Sequence, residues 1–164
     1  MQFKRTALSL LACALSVGAV TAQANNSGVI QRADVSLALA NQLVEATLKA
    51  CHAQKRTAVV AVVDRGGNLV ALQRDDNVGP HNTLAAQRKA YTALSTKTPT
   101  RQLAERAQSN PDMQNLNTLD ELLLLSGGVP LFVDGQVIGA IGVAGAGGGE
   151  IDEGCAVTAV EQAL

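Results

Sequence analysis

Histidines, cysteines and a glycine-rich run are the residues of this sequence whose types and spacing could support catalysis or binding. His52 and His81 are the only two histidines, and neither has an acidic or nucleophilic partner marked by close sequence spacing. The chain contains no Gly-x-Ser-x-Gly elbow, no HExxH and no His-x-His pattern. The sequence therefore gives no direct indication of nucleophilic catalysis or of a metal hydrolase.

The glycine-rich run lies between Ser126 and Ala156, and it does not match a phosphate-binding motif. A dinucleotide fingerprint starting at Gly145 would need a third glycine where Glu150 stands, and no Lys-Ser/Thr pair follows the glycines. Gly139 and Gly142 instead fall inside a predicted strand, where glycine is unfavourable unless another group approaches the backbone closely. This pattern predicts either a ligand wall or a subunit interface.

The sequence allows two states for Cys51 and Cys155, a disulfide or two free thiols. Cys51-His52 resembles the end of a c-type haem attachment motif, but Leu48 stands where its first cysteine should be, which excludes covalent attachment. Cys51 and Cys155 are expected on the first and last helices. If both helices pack on the same sheet face, the two thiols could form a disulfide; otherwise they remain two buried free thiols.

The N-terminal segment predicts export. Lys4 and Arg5 precede an uncharged, mostly apolar run from Thr6 to Val20, and Ala22-Gln23-Ala24 provides the small residues of a cleavage site. This is the pattern of a signal peptide spanning residues 1–24, and the run is shorter than the ~20 residues of a membrane-spanning helix. We expect one mature domain over residues 25–164, located in the periplasm or secreted.

Composition excludes two classes of partner. The 14 acidic residues slightly outnumber the 13 basic ones, and aromatic residues make up only 2% of the chain. Nucleic-acid binding lacks both the basic surface and the stacking side chains it requires. No polybasic segment exists that would hold the mature chain on a membrane.

Periodicity and turn signals predict an α+β domain. A helix should begin at Asp34 or Ser36 and end near Ala53, and a hairpin should follow, with strands around Val59–Val63 and Leu69–Gln73. Helices are predicted over Asn82–Ser95, from a Thr98-Pro99 start signal through Ala107, and from a cap at Asp152, and Ser109–Thr118 is predicted to be a polar connector. Strands are predicted at Val129–Val133 and Gln136–Val143. Leu122–Leu125 could be strand or helix, and a strand is favoured because Gly127-Gly128 follows at once. Short connections make the sheet antiparallel, with helices packed on it.

Several segments together resemble the GlcG/HbpS-like haem-binding family, whose domain is related to the C-terminal domain of PduO-type adenosyltransferases. The similarity covers nearly all of residues 25–164 in order and spacing. It is carried by VAVVDRGGNLVA (residues 60–71), RKAYTA (88–93), GGVP (127–130), GAIGV (139–143) and DEGCA (152–156). One departure is Ala144, where the family usually has serine before the glycine matching Gly145.

The resemblance implies a profilin-like antiparallel sheet of about five strands, a homo-oligomer and haem as the cofactor. With the predicted signal peptide, it implies a secreted or periplasmic protein that stores, buffers or senses haem. Two alternatives stay open. One is an accessory enzyme of small hydroxy-acid or diol metabolism, and the other is an oligomeric scaffold without a cofactor.

Site residues follow from the resemblance together with the chemistry of the side chains. His81, just before a helix, is either the axial ligand of haem iron or a helix N-terminal residue without a ligand role, and His52 and Met113 are weaker ligand candidates. Lys89 is either a solvated helix charge or the partner of a carboxylate such as a haem propionate. Arg74 could contact the ligand or pair with Asp64. The other residues expected at the pocket are Gly139, Gly142 and Gly145.

Overall fold

The computed structural model describes residues 28–164, and the predicted signal peptide lies outside these described residues. Helix α1 spans Leu37–Ala53, and Ser36 caps it by accepting a hydrogen bond from the Leu39 N–H at 3.2 Å. Asp34, the other predicted start, instead accepts from the N–H groups of Val35 and Arg65. Within the part described, no helix is long and apolar enough to span a bilayer.

Two antiparallel hairpins form the sheet. Strands β1 (Val59–Asp64) and β2 (Leu69–Arg74) form the first, and β3 (Gly128–Val133) and β4 (Gln136–Ala144) form the second. The hairpins join through β1 and β4, which pair antiparallel from Val59 with Ala144 to Asp64 with Gly139, so the strand order is β2-β1-β4-β3. The antiparallel α+β prediction is confirmed.

The turn of the first hairpin is organised by Asp64. Its carboxylate accepts hydrogen bonds from the N–H groups of Gly66 and Asn68 and from the Asn68 side chain. Burial raises the pKa of Asp64, but the hydrogen bonds from Asn68, Gly66 and Gly67 outweigh it and hold the pKa below its ordinary value. The hydrogen bonds of the Asp64 carboxylate therefore stabilise this turn.

One face of the sheet carries helix α2, which spans His81–Thr96. Its inward side is built of small residues, with Ala86, Ala90 and Ala93 all fully buried. Small side chains let a helix approach a sheet closely, and α2 packs against β1, β3 and β4.

The opposite face carries α1 and the last helix, α4 (Gly149–Ala163). Together with Val60, Val62, Leu131, Ile141 and Val143 of the strands, these helices enclose the largest hydrophobic core. Cys51 of α1 and Cys155 of α4 lie within it and form a disulfide, with their Cα atoms 5.4 Å apart. Of the two arrangements left open by the sequence, the structure shows the bridged one.

The segment between α2 and β3 differs from its prediction. Helix α3 spans Thr100–Ser109, and Pro99 rather than Thr98 is its N-cap, while the Thr98 hydroxyl donates to the Thr96 carbonyl. The polar connector contains a 3-10 helix, Pro111–Thr118.

The predicted strand at Leu122–Leu125 is wrong, and the described sheet has four strands rather than about five. Side chains of the helices satisfy this segment's backbone in place of a neighbouring strand. Thr92 accepts from the Leu123 N–H, while Arg88 donates to the Leu122 carbonyl and Thr100 to the Leu125 carbonyl. Backbone N–H and C=O groups that already have these hydrogen-bond partners do not need to pair with a neighbouring strand.

Candidate functional site

The outward face of α2 carries a row of side chains that do not belong to the core. His81, Leu84, Arg88 and Tyr91 follow one another at spacings of three and four residues, which places them on one side of the helix. His81 is exposed at the first helical position, Leu84 is 60% exposed and Tyr91 is 37% exposed. This face combines a nitrogen ligand, apolar surface and a guanidinium.

The His81 end of this face is where several predicted site residues meet. The Arg74 guanidinium donates to the Val78 carbonyl at 2.5 Å, in the loop that leads into α2. A Cβ placed on Gly145 would lie 2.7 Å from Val78 Cγ1 and 3.1 Å from Asn82 Cγ, so this glycine packs against the same loop and the first turn of α2. The structure therefore brings Arg74, Gly145 and His81 to one end of the sheet.

His52 lies at the end of α1 and is bonded within the chain. Its Nε2 lies 2.9 Å from Asp75 Oδ2, and the same oxygen accepts the Ala58 N–H at 2.9 Å. This contact links α1 to the strand following it and to the end of β2. His81, in contrast, makes no side-chain hydrogen bond within the described residues, so its imidazole is free for an external ligand. Met113 lies on the 3-10 helix and packs with Leu103 and Leu124 of a separate small core.

Lys89 points away from the outward face. It is 4% exposed, and its ammonium donates to Asp152 Oδ2 at 2.7 Å and to the Val143 carbonyl at 2.8 Å. Asp152 Oδ1 accepts the Ala146 N–H at 2.8 Å. Lys89 thus meets a carboxylate, but that carboxylate belongs to α4, and an external ligand would have to displace it. Its contact with a haem propionate stays a prediction.

Asp152 was expected to cap the last helix, and that prediction is wrong. The helix begins at Gly149 after an N-cap at Gly148, which has a φ of 142°, and Asp152 lies in the first turn. Its side chain instead accepts hydrogen bonds from Lys89 of α2 and from Ala146 in the segment 145–148 between β4 and α4, here called the glycine loop. A buried carboxylate needs a paired positive charge. Lys89 was recognised in the sequence as a cation, but its pairing with Asp152 was not.

The two strand glycines do not form a common wall. A Cβ on Gly142 would lie 2.6 Å from the Ala90 nitrogen of α2, whereas one on Gly139 would lie 3.1 Å from Val35 Cγ1, in the core on the opposite face. Close approach to the backbone is confirmed at both positions. The approaching groups are the chain's own helix and core side chain.

Asp64 and Arg74 do not pair. The register sets Arg74 opposite Val59, at the far end of the hairpin from Asp64. The Asp64 carboxylate is hydrogen-bonded within the β1–β2 turn, and the Arg74 guanidinium is hydrogen-bonded to the loop before α2. The predicted ion pair is therefore wrong.

Arg88 was not selected as a site residue from the sequence. Its Nη2 donates to the Leu122 carbonyl at 2.6 Å, and its buried Nε has no hydrogen-bond partner in the described structure. Arg88 lines a cleft of about 240 Å³ together with Val63, Gly67, Leu69, Gln87, Tyr91 and Glu121. The signal that would have found it is its spacing of seven residues from His81, which is about two helical turns.

Side-chain chemistry limits what this region can bind. Among the described residues, no group of three or more histidine, cysteine, aspartate or glutamate side chains is arranged to hold a bare metal ion. A single imidazole at the edge of an apolar face suits a metal that arrives inside an organic ligand. The arrangement fits an apolar ligand with carboxylates better than an inorganic ion.

Comparison with known proteins gives a consistent result. The family model described as "Haem degrading protein HbpS-like" matches residues 35–161. The protein GlcG of Escherichia coli K12 is 35% identical over 109 residues, which covers 66% of this chain and 80% of GlcG.

Two solved structures share both fold and sequence with this chain. The crystal structure of HbpS superposes with a TM-score of 0.79 at 35% identity, covering 85% of this chain and 97% of HbpS. A PduOC–haem complex superposes with a TM-score of 0.71 at 27% identity, covering 80% of this chain and 95% of that one. Because the family match spans both hairpins and all four α-helices, this chain belongs to the HbpS-like family.

Proposed function

We propose that this protein binds haem through the outward face of α2 and acts outside the cytoplasm, storing, buffering or sensing haem. The observation that carries the proposal is the similarity to a domain solved as a haem complex, combined with an α2 face that presents a free imidazole beside apolar surface.

The side chains of the α2 face fit haem chemically. Leu84 and Tyr91 supply apolar and aromatic surface for a flat macrocycle. The Arg88 guanidinium uses only Nη2 in a hydrogen bond among the described residues, so Nη1 keeps donors that a propionate would accept. His81 is the residue whose imidazole nitrogen would hold the iron, and bound haem would supply redox and ligand-binding chemistry there. Arg74 and Gly145 shape the loop that carries His81, so they would support the site indirectly.

Export is supported by the disulfide. Cys51 and Cys155 are both fully buried and bridged, and structural disulfides persist in oxidising compartments such as the periplasm and the extracellular space. The signal peptide predicted at residues 1–24 agrees with that location. N-terminal sequencing of exported protein should find Asn25 first. A protein that retains Met1 and stays in the cytoplasm would contradict this part of the proposal.

Haem titration tests the function directly. Added haem should give a shifted Soret band that saturates near one equivalent per chain. The matched control is the same titration after denaturation in guanidinium, which should abolish the shift because the face of α2 no longer exists. A native protein that gives no saturable shift would contradict haem binding.

Haem turnover is a second candidate function, because the matching family is described as haem degrading. The titrated complex, incubated with oxygen and a mild reductant, distinguishes the two. A stable Soret band supports storage, buffering or sensing. A band lost faster than for free haem, with release of iron, supports turnover.

Homo-oligomerisation belongs to the same proposal. Phe132, Leu119 and Leu125 are large apolar side chains that are about half exposed, which is typical of surfaces covered by another subunit. Light scattering at micromolar concentration should report at least two subunits. A monomer mass throughout the concentration range would contradict it.

A further inference from the structure

We propose that Arg88 is the residue that binds a carboxylate of the ligand, and that the cleft around it receives the acid-bearing edge of that ligand. This inference rests on the proposed haem function and adds a specificity determinant to it. It assigns to Arg88 the role that sequence reasoning considered for Lys89.

Helix geometry places Arg88 correctly for this task. Seven residues after His81, it returns to within about 20° of the same direction and lies about 10 Å further along the axis. Leu84, which is 60% exposed, lies between them on the same face. A flat ligand whose metal is held at His81 would therefore extend over Leu84 toward Arg88, a span comparable with that from a haem iron to its propionates.

The hydrogen bonding of Arg88 is incomplete. A guanidinium carries five N–H donors in a planar fork, and the described structure uses Nη2 for the Leu122 carbonyl while leaving the buried Nε without an acceptor. None of the four ion pairs formed by the described residues includes Arg88. Because Nε is closed to solvent, a ligand would bind the donors of Nη1, which make no hydrogen bond among the described residues, and a carboxylate is the acceptor that a guanidinium binds most strongly.

The cleft matches the edge of an amphipathic acid. Val63 and Leu69 supply apolar walls, and the Tyr91 ring closes the space over the hairpin turn. A Cβ on Gly67 would lie only 2.8 Å from Tyr91 Cε2, so the absence of a side chain at this glycine makes room for the ring. A volume of about 240 Å³ is below the usual size of a site enclosing a whole drug-sized ligand, so the cleft would hold one edge with its acid group.

The two charged side chains near Arg88 leave Arg88 as the residue that binds the carboxylate of the ligand. Glu121 also lines the cleft, but it is an exposed side chain that can turn toward solvent when an anion enters. Lys89, the neighbouring cation, is 4% exposed and already neutralised by Asp152. Arg88 is therefore the positive charge that faces the ligand side of α2.

The experiment compares a diacid with its diester. Wild type and Arg88→Gln are titrated with iron-free protoporphyrin IX and with its dimethyl ester, followed by porphyrin fluorescence, and with haem, followed by the Soret band. Arg88→Gln should weaken binding of protoporphyrin IX and of haem about ten- to a hundredfold, the range expected for hydrogen bonds to a charged group. Binding of the ester should stay unchanged, and the Soret position of bound haem should not move, because the iron ligand is intact.

Two further variants separate charge from structure. Arg106→Gln removes an exposed arginine from α3 and should leave all three affinities unchanged. Arg88→Lys keeps the charge but loses the planar fork, and it should recover part of the diacid affinity.

The outcomes separate this inference from the function on which it rests. Haem binding to wild type with equal loss of diacid and ester affinity in Arg88→Gln would mean that Arg88 only supports the fold through Leu122, and the inference would be overturned. Equal diacid affinity in wild type and Arg88→Gln would also overturn it while leaving the haem function intact. Absence of any haem or porphyrin binding to wild type would overturn both.

Discussion

Lys89 and Asp152 form an ion pair that is closed off from solvent on both sides. Lys89 Nζ lies 2.7 Å from Asp152 Oδ2, and the two side chains are 4% and 6% exposed. Through the Val143 carbonyl and the Ala146 N–H, this one pair connects α2, the end of β4, the glycine loop and α4.

Removing one partner of this pair should strongly destabilise the protein. Lys89→Met leaves the Asp152 carboxylate buried without its cation, and we expect a loss of about 3–5 kcal/mol in the free energy of unfolding. Urea denaturation measures it. Arg101→Met is the control, because the Arg101 side chain is half exposed in its pairs with Glu105 and Glu153, and such solvent-exposed pairs contribute much less to stability than a buried one. A Lys89 variant as stable as the Arg101 variant would contradict the structural role of the pair.

The two histidines should differ in their effect on bound haem. His81→Ala should weaken haem binding and shift the Soret band, since an axial nitrogen would be lost. His52→Ala is the matched control, because it removes another exposed imidazole, one that contacts Asp75 instead. If His81→Ala leaves spectrum and affinity unchanged, another residue or another subunit holds the iron.

Gly142 should not tolerate alanine. The added methyl group would collide with the Ala86 carbonyl and lie 2.6 Å from the Ala90 nitrogen, forcing α2 off the sheet. We expect a loss of roughly 1–3 kcal/mol or more, as for other overpacked cores, measured by thermal or urea unfolding.

The matched control for that change is Gly154→Ala. Gly154 lies inside α4, and a Cβ there meets nothing within 4 Å. Alanine is the better helix former, so this variant should be more stable than wild type by about 0.5–1 kcal/mol. Similar stability changes at Gly142 and Gly154 would contradict the close packing of α2 on β4.

Loss of the disulfide should lower stability without changing the fold. Cys51 and Cys155 are 104 positions apart, and opening a loop of that length is expected to cost about 4–5 kcal/mol through the entropy of the unfolded chain. The Cys51→Ala, Cys155→Ala double variant and the reduced wild type should unfold at similar, lower urea concentrations. Thiol counting on denatured, unreduced protein should find no free thiol at either position, and two free thiols would contradict the bridge.

Local chemistry explains which parts of the fold the sequence could predict. Both hairpins were predicted correctly because their signals, such as Asp134-Gly135 between two apolar runs, act between neighbouring residues. The Leu122–Leu125 strand failed because Thr92, Arg88 and Thr100, distant in sequence, satisfy the backbone of that segment. The strand propensity of a short segment carries no information about hydrogen-bond partners that are distant in the sequence.

The sequence also predicted part of the candidate site. His81 was selected from its chemistry and its position before a helix, and the structure places it exposed at the first position of α2. Lys89 was selected for its charge, but which side of α2 it faces depends on Asp152, 63 positions further along the chain. Arg88, one residue earlier, was overlooked because charge alone does not distinguish it from Lys89, although its spacing of seven residues from His81 places both on one side of the helix.

The strand order has a consequence for how quickly the chain can fold. Each hairpin is local and can form early, but the central pairing of β1 with β4 joins two segments that are far apart in the sequence. Pairings between distant segments must overcome loop-closure entropy first, so we expect docking of the two hairpins to limit the folding rate, on a slower scale than for helical bundles of this size. Until that step is complete, the facing edges of β1 and β4 remain open to pairing with other chains, and the protein is most exposed to aggregation during that interval.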